Sequence, residues 1–158
     1  MNFSIKYFIV IILILILLGI NLNSFTETFS NFTDNKFKVV VTTYNPGIYF
    51  LQKCLESIVK QRYTNFEVCI IDDYSDKESF DILNLLQEYN SKYGWKYHQR
   101  TENIGPCGSR IQAIDMLNPR DDDIIVLIDG DDELFDNYVF SKLNYIYNTD
   151  KPLITFGN

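Results

Sequence analysis

The chain has 158 residues, a formal net charge of −7, and 46% hydrophobic and 15% aromatic residues. That is enough apolar material for one domain with a genuine core, and it excludes a disordered chain. The acidic balance argues against nucleic acid as a partner, because phosphate binding needs a basic face.

Phe8 to Ile20 is nearly unbroken aliphatic sequence, and the stretch from Phe3 to Leu22 reaches the length of a bilayer span. Residues 1–22 therefore read as a signal anchor, with a cleaved signal peptide as the alternative. Asn21-Leu22-Asn23-Ser24 is a poor cleavage site, which favours the anchor. Lys6 precedes the span while Glu27 and Asp34 follow it. This places the N-terminus in the cytosol and the domain across a single-pass membrane helix, in the secretory pathway if the cell is eukaryotic; the alternative is secretion after cleavage. Residues 23–36 form a polar stem carrying the sequon Asn31-Phe32-Thr33. Residues 37–158 are the expected folded domain.

Phe37 to Tyr44 is a β-branched run stopped by Asn45-Pro46-Gly47, hence a strand. Ile48, Leu51, Cys54, Leu55, Ile58 and Val59 then recur at helical spacing. Phe66 to Ile71 is a second strand, ending in Asp72-Asp73. Ser75-x-x-Glu78 resembles a capping box opening a helix with Phe80, Leu83, Leu86 and Tyr89 on its apolar side, closed by Gly94. Trp95 to Arg100 is a third strand that contains the only histidine, His98. A helix follows over Pro106–Asn118, stopped by Pro119. Asp121-Asp122-Asp123 reads as a solvated turn. Cys54, Cys69 and Cys107 lack metal-ligand spacing, and Cys69 reads as core packing.

Ile124-Ile125-Val126-Leu127-Ile128 reads as a strand buried on both faces, and it runs directly into Asp129-Gly130-Asp131-Asp132-Glu133. The glycine would permit a tight turn. Asp129, Asp131 and Asp132, three carboxylates within four positions, repel one another unless solvent or a cation intervenes. A hard divalent ion, Mn2+ or Mg2+, is the natural partner and would in turn hold a phosphate. A helix over Phe135–Asn148 and a strand from Leu153 to Phe156 complete the pattern. Alternating strands and helices imply an α/β fold with a mostly parallel sheet.

Three polar clusters, Thr42–Asn45, Asp72–Ser75 and Asp129–Asp132, fall directly after strands. In an open α/β sheet the carboxyl ends of parallel strands share one edge, where ligands bind. The glycine-rich phosphate loops of dinucleotide and P-loop proteins are absent, and an EF-hand fails because Leu134 stands where its glycine is needed. What remains is a nucleotide or phosphate held through a metal by carboxylates.

Val39-Val40-Val41-Thr42-Thr43-Tyr44-Asn45, then Leu55-x-Ser57-Ile58-x-x-Gln61-x-Tyr63-x-Asn65-x-Glu67, then Ile70-Ile71-Asp72-Asp73-x-Ser75 resembles the opening of family 2 glycosyltransferases of the GT-A fold. Asn103-x-Gly105-Pro106-x-x-x-Arg110 resembles the family's next segment, and Asp129-Gly130-Asp131-Asp132 its D-x-D motif. The likeness covers residues 38–135 in order. It implies a Rossmann-like three-layer α/β/α domain that takes a nucleoside-diphosphate sugar (UDP- or GDP-sugar), uses Mn2+ or Mg2+, and transfers the sugar with inversion to a hydroxyl of a glycan, protein or lipid acceptor. By the same resemblance, Thr42 and Tyr44 line the nucleotide pocket and Asp73 bonds the base. Asp129 lies near the ribose or sugar, Asp131 and Asp132 bind the metal, and Arg110 sits by the donor phosphates.

Two departures stand out. Where the family often has Arg-Asn, this chain has Arg110-Ile111. Only Glu133 to Asn158 follows the acidic motif, where the family carries an acceptor-binding half and its catalytic base. Glu133 and Asp136 are acids without an alignment to that base, so the catalytic base is unassigned. The alternative function is accordingly a non-catalytic or truncated nucleotide-sugar-binding module. A receiver-like signalling domain, suggested by the acids at strand ends, is disfavoured by the extra first strand and the anchor.

Overall fold

The structure is a computed structural model that describes residues 32–75 and 80–157. The anchor, the first part of the stem and the sequon asparagine lie outside the described residues, as do positions 76–78 of the expected capping box. Among the described residues no helix is long and apolar enough to cross a membrane.

Residues 34–157 alternate strand and helix: β1 (Phe37–Thr43), α1 (Ile48–Val59), β2 (Phe66–Asp72), α2 (Phe80–Tyr93), β3 (Lys96–Gln99), α3 (Gly105–Leu117), β4 (Ile124–Asp129) and α4 (Val139–Thr149). The four strands are parallel in the order β3-β2-β1-β4. After β3 the chain returns across the sheet to place β4 on the far side of β1. The topological switch point thus lies between β1 and β4, where open α/β sheets bind ligands.

Side-chain alternation along the strands sorts the core into two layers. Phe37, Val39 and Val41 of β1, with Val68 and Ile70 of β2, pack against Leu51, Leu55 and Ile58 of α1, Leu86 of α2 and Phe140 of α4. Val40, Cys69 and Ile71 face the other way, onto Ala113 and Leu117 of α3. The architecture is three-layer α/β/α. All seven residues of β1 are buried, as befits a strand with neighbours on both edges and helices on both faces.

The structure departs from the sequence reading in four places. β4 is not buried on both faces: α3 covers β1 and β2, leaving Leu127 51% exposed at the sheet's edge. The expected strand at Leu153–Phe156 does not form; Leu153 and Phe156 are 98% and 90% exposed, so apolar composition there finds no neighbouring strand to pair with. The last helix begins at Val139 rather than Phe135, because Asp136 Oδ1 accepts the Tyr138 N–H (2.8 Å) and holds the preceding residues in a turn. The Asp121–Asp123 turn is solvated only at its first two residues. The Asp123 side chain is 1% exposed, 3.7 Å from Lys38 Nζ, and accepts the Arg120 N–H.

Candidate active site

Register brings the strand-end clusters onto one side of the sheet. Thr42 of β1 pairs with Asp129 of β4 and with Ile71 of β2. Asp73 continues the ladder by one bond, donating its N–H to Thr43 O at 2.8 Å. With a period of two, Thr42, Asp73 and Asp129 share the face covered by α3, which contributes Arg110. A cleft of about 570 Å3 opens there. Of the residues singled out from sequence, Thr42, Tyr44, Asp73, Arg110, Asp129 and Asp131 line it. Asp132 does not; its N–H closes the turn onto Asp129 O at 2.9 Å, and its side chain stands outside the cleft lining.

Asp129 is oriented from two sides. Its Oδ1 lies 2.6 Å from Arg110 Nη2 and accepts the Thr42 hydroxyl at 3.2 Å. Asp73 is buried, and its Oδ1 accepts the Ile104 N–H at 3.1 Å, with Arg100 Nε at 3.4 Å. These contacts fix the carboxylate's plane before any ligand arrives, which is the preorganisation a binding site requires. Tyr44, also in the cleft lining, is more than half exposed, so its ring is available to a planar ligand.

Gly130 serves the site through proximity. A Cβ at that position would meet Thr43 Cβ at 2.8 Å and Thr42 O at 3.2 Å. Gly130 stands in the tight turn expected from sequence, closed by the Asp132 N–H onto Asp129 O, but its φ is not positive; what requires glycine here is the close approach of the acidic turn to β1. The Gly130 N–H donates to Thr42 O at 2.8 Å, completing the lock.

The loop after the acids is held by α1. Ser57 Oγ accepts the Leu134 N–H at 3.1 Å. Gln61 Nε2 donates to Asp136 O at 2.6 Å, while its Oε1 accepts the Phe140 N–H at 3.1 Å. Beneath the turn, Cys54 Sγ lies 3.6 Å from Asp129 O. Burial, and then the surrounding aspartates, push its thiol up to about 12, so it carries no thiolate at neutral pH. Asp136 is held below the usual carboxylate range by Lys142, 2.6 Å away, and by the Tyr138 N–H.

The donor set fits a divalent cation that is completed by its ligand. Among the described residues no three His, Cys, Asp or Glu side chains gather into a cage. Asp131 lines the cleft with an exposed carboxylate, while one oxygen of Asp129 is committed to Arg110 and Thr42. One or two carboxylates with phosphate and water oxygens is the ordinary way such an ion sits at a diphosphate.

Sequence reasoning missed Arg100, Ser109 and Phe50. Arg100 directly follows β3, so the rule that located the other strand-end clusters would have found it. Ser109 is fully buried, lines the cleft, and its hydroxyl has no partner; one small residue inside a helix carries no signal. Phe50 lies on the exposed side of α1 at the cleft rim, where apolar periodicity does not point.

The family model described as glycosyl transferase family 2 matches residues 38–156. Glycosyltransferase GlyA of Streptococcus pneumoniae is 31% identical over 106 residues, which is 67% of this chain and 14% of that protein. Among solved structures, S. aureus TarS 1-349 in complex with UDP-GlcNAc superposes with a TM-score of 0.60 at 26% identity, covering 72% of this chain and 31% of TarS 1-349. The mannosyltransferase PcManGT from Pyrobaculum calidifontis, in complex with GDP-Man and Mn2+, has a TM-score of 0.61 at 18% identity, covering 73% of this chain and 33% of PcManGT, and shares the fold. The chain thus spans a minor part of the length of each of these proteins. The match from β1 to past α4, laid over a GT-A-like sheet, shows that the chain belongs to glycosyl transferase family 2.

Proposed function

We propose that these residues form the donor-binding portion of a glycosyltransferase that takes a nucleoside-diphosphate sugar, with a divalent cation, and passes the sugar with inversion to an acceptor hydroxyl. The observation that carries this reading is the convergence of Thr42, Tyr44, Asp73, Arg110, Asp129 and Asp131 on one cleft at the switch point. The UDP-GlcNAc bound by TarS and the GDP-Man and Mn2+ bound by PcManGT support the ligand class.

Each residue has a task in this reading. Asp73, held by the Ile104 N–H and Arg100, offers carboxylate oxygen to an N–H of the base, against which Tyr44 stacks. Asp129, steadied by Arg110 and Thr42, accepts a hydroxyl of the ribose or sugar. The remaining N–H groups of Arg110 meet phosphate oxygens, a charge-assisted contact in a partly shielded site. Asp131, and Asp132 if the turn adjusts, would hold Mn2+ or Mg2+. When bound, the cation offsets the negative charge that builds on the departing diphosphate.

Titration calorimetry with UDP- and GDP-sugars, with and without Mn2+, tests this reading. Metal-dependent binding of one of them is expected; a folded chain that binds neither defeats it. Anomeric NMR of a transferred sugar tests inversion. The acceptor is a glycan, protein or lipid hydroxyl. Residues 1–22 are proposed to anchor the domain with the N-terminus in the cytosol, supported by the apolar run Phe8–Ile20; release from membranes by alkaline carbonate would reject an anchor.

A second reading, donor binding without transfer, is favoured by the engagement of Asp136 with Lys142 and the Tyr138 N–H, which leaves that acid a poor proton acceptor. Turnover of any acceptor by this chain rejects it.

A further inference from the structure

The loops after β1 and β2 are tied together by a side-chain bridge that touches no cleft residue's functional group. The Asn45 N–H donates to Ser75 Oγ at 2.8 Å, and Ser75 Oγ in turn donates to Asp72 Oδ1 at 2.5 Å. The Ser75 N–H reaches the same Asp72 oxygen at 3.3 Å. Asp72 and Ser75 are both buried. Burial pushes the Asp72 carboxyl up, against the pull of the Ser75 hydroxyl and N–H and of the Gln99 side chain. A carboxylate in that place is an unfavourable choice for stability alone.

The bridge spans two backbone positions that few side chains occupy willingly. Asn45 has φ 46° and Tyr74 has φ 71°, both in the left-handed region. Asparagine enters that region readily, but tyrosine does so at a cost and stays only where its surroundings over-determine it. The residues bracketed by these contacts both line the cleft: Tyr44 immediately precedes Asn45, and Asp73 lies between Asp72 and Ser75.

We propose that Asp72 and Ser75 are positioning residues for the nucleotide, fixing the separation between Tyr44 and Asp73 by clamping the two turns together. The proposal rests on the donor-site reading above. Neither side chain meets the ligand. Their effect passes through the backbone of Asn45 on one side and the turn containing Asp73 on the other. A base that must stack on Tyr44 while bonding Asp73 tolerates little change in that spacing.

The test uses the full chain in mild detergent, the variants Ser75→Ala, Asp72→Ala and Asp72→Asn, and two readouts. Amide hydrogen exchange at Asn45 and at Val40, without ligand, reports the clamp and the core separately. Calorimetry with UDP plus Mn2+, and with GDP plus Mn2+, reports the site. Ser75→Ala, which removes the Oγ bonds to the Asn45 N–H and to Asp72, and Asp72→Ala, which removes both bonds from Ser75 to the carboxylate, should each speed Asn45 exchange and weaken nucleotide binding by roughly tenfold. Val40 should stay protected. Asp72→Asn keeps the accepting oxygen and should hold both readouts within about threefold of the parent chain. Unchanged Asn45 exchange and nucleotide affinity in Ser75→Ala overturns the proposal. So does a parallel loss of protection at Val40, which would mark a general structural role. If the parent chain binds neither nucleotide, the donor-site reading fails, while Asn45 exchange still decides whether the clamp exists.

Discussion

Arg110 on α3 reaches across the cleft to Asp129 at the tip of β4, with Nη2 2.6 Å from Oδ1. Cation and acid come from different layers of the fold, and each is partly open to solvent. A pair this exposed adds about 0–1 kcal/mol to stability. Its greater effect is on the ligand, because it holds both groups where a diphosphate and a sugar would meet them.

Arg110→Ala should therefore leave the melting temperature within a few degrees and weaken nucleoside-diphosphate binding by roughly ten- to hundredfold. Calorimetry alongside thermal unfolding separates the two effects. Arg110→Lys should restore only part of the affinity, since an ammonium cannot span the carboxylate and a phosphate as the guanidinium fork does.

Gly130→Ala places a methyl group against Thr43 Cβ and Thr42 O. Neither neighbour is the free end of a flexible side chain, so the acidic turn must lift from β1. A cost of about 1–3 kcal/mol is expected in urea unfolding. Mn2+-dependent nucleotide binding should fall as well, because Asp131 moves with the turn.

Gln61→Leu removes the acceptor for the Phe140 N–H and the donor to Asp136 O, at a site where water is excluded. Orphaned buried backbone groups cost about 1–3 kcal/mol each. The loss should appear in urea unfolding. It should also appear as faster amide exchange at Phe140, with β1 exchange tracking only global unfolding.

Glu67 bridges Lys36 and Lys38, which hold its carboxyl down at about 2. A depressed carboxylate stabilises the fold above its unfolded value, and that contribution is lost as pH falls toward the folded value. Glu67→Gln should thus be less stable than the parent at pH 6, with the difference shrinking from about pH 4.5 and vanishing near pH 2. Because the Glu67 side chain is 40% exposed, solvent screening keeps the effect to roughly 1 kcal/mol. Added salt should reduce it further.

The strands and helices that alternation and 3.6-residue spacing describe are those with unbroken apolar patterns. β1, α1 and β2 match their expected limits to within a residue, because Val39–Val41 and Leu51–Ile58 carry unbroken apolar patterns. The gathering of Thr42, Asp73 and Asp129 at one cleft was also legible, since it follows from parallel strands and a period of two. Burial of β4 was not. Five aliphatic residues say nothing about how far α3 reaches, and Leu127 is bare because that helix stops over β1. Asp123 misled for a related reason: its neighbour Lys38 lies far back in the chain, and an Asp run reads as solvated until that lysine is placed.

All of β1 is shut away from solvent, and Thr42 and Thr43 at its end touch the acidic turn directly. The cleft is therefore joined directly to the buried centre of the sheet. If the cleft takes the proposed nucleotide sugar, occupancy and unfolding become linked equilibria: a tightly held ligand would raise the melting point, and loosening the centre of the sheet would loosen the grip on it.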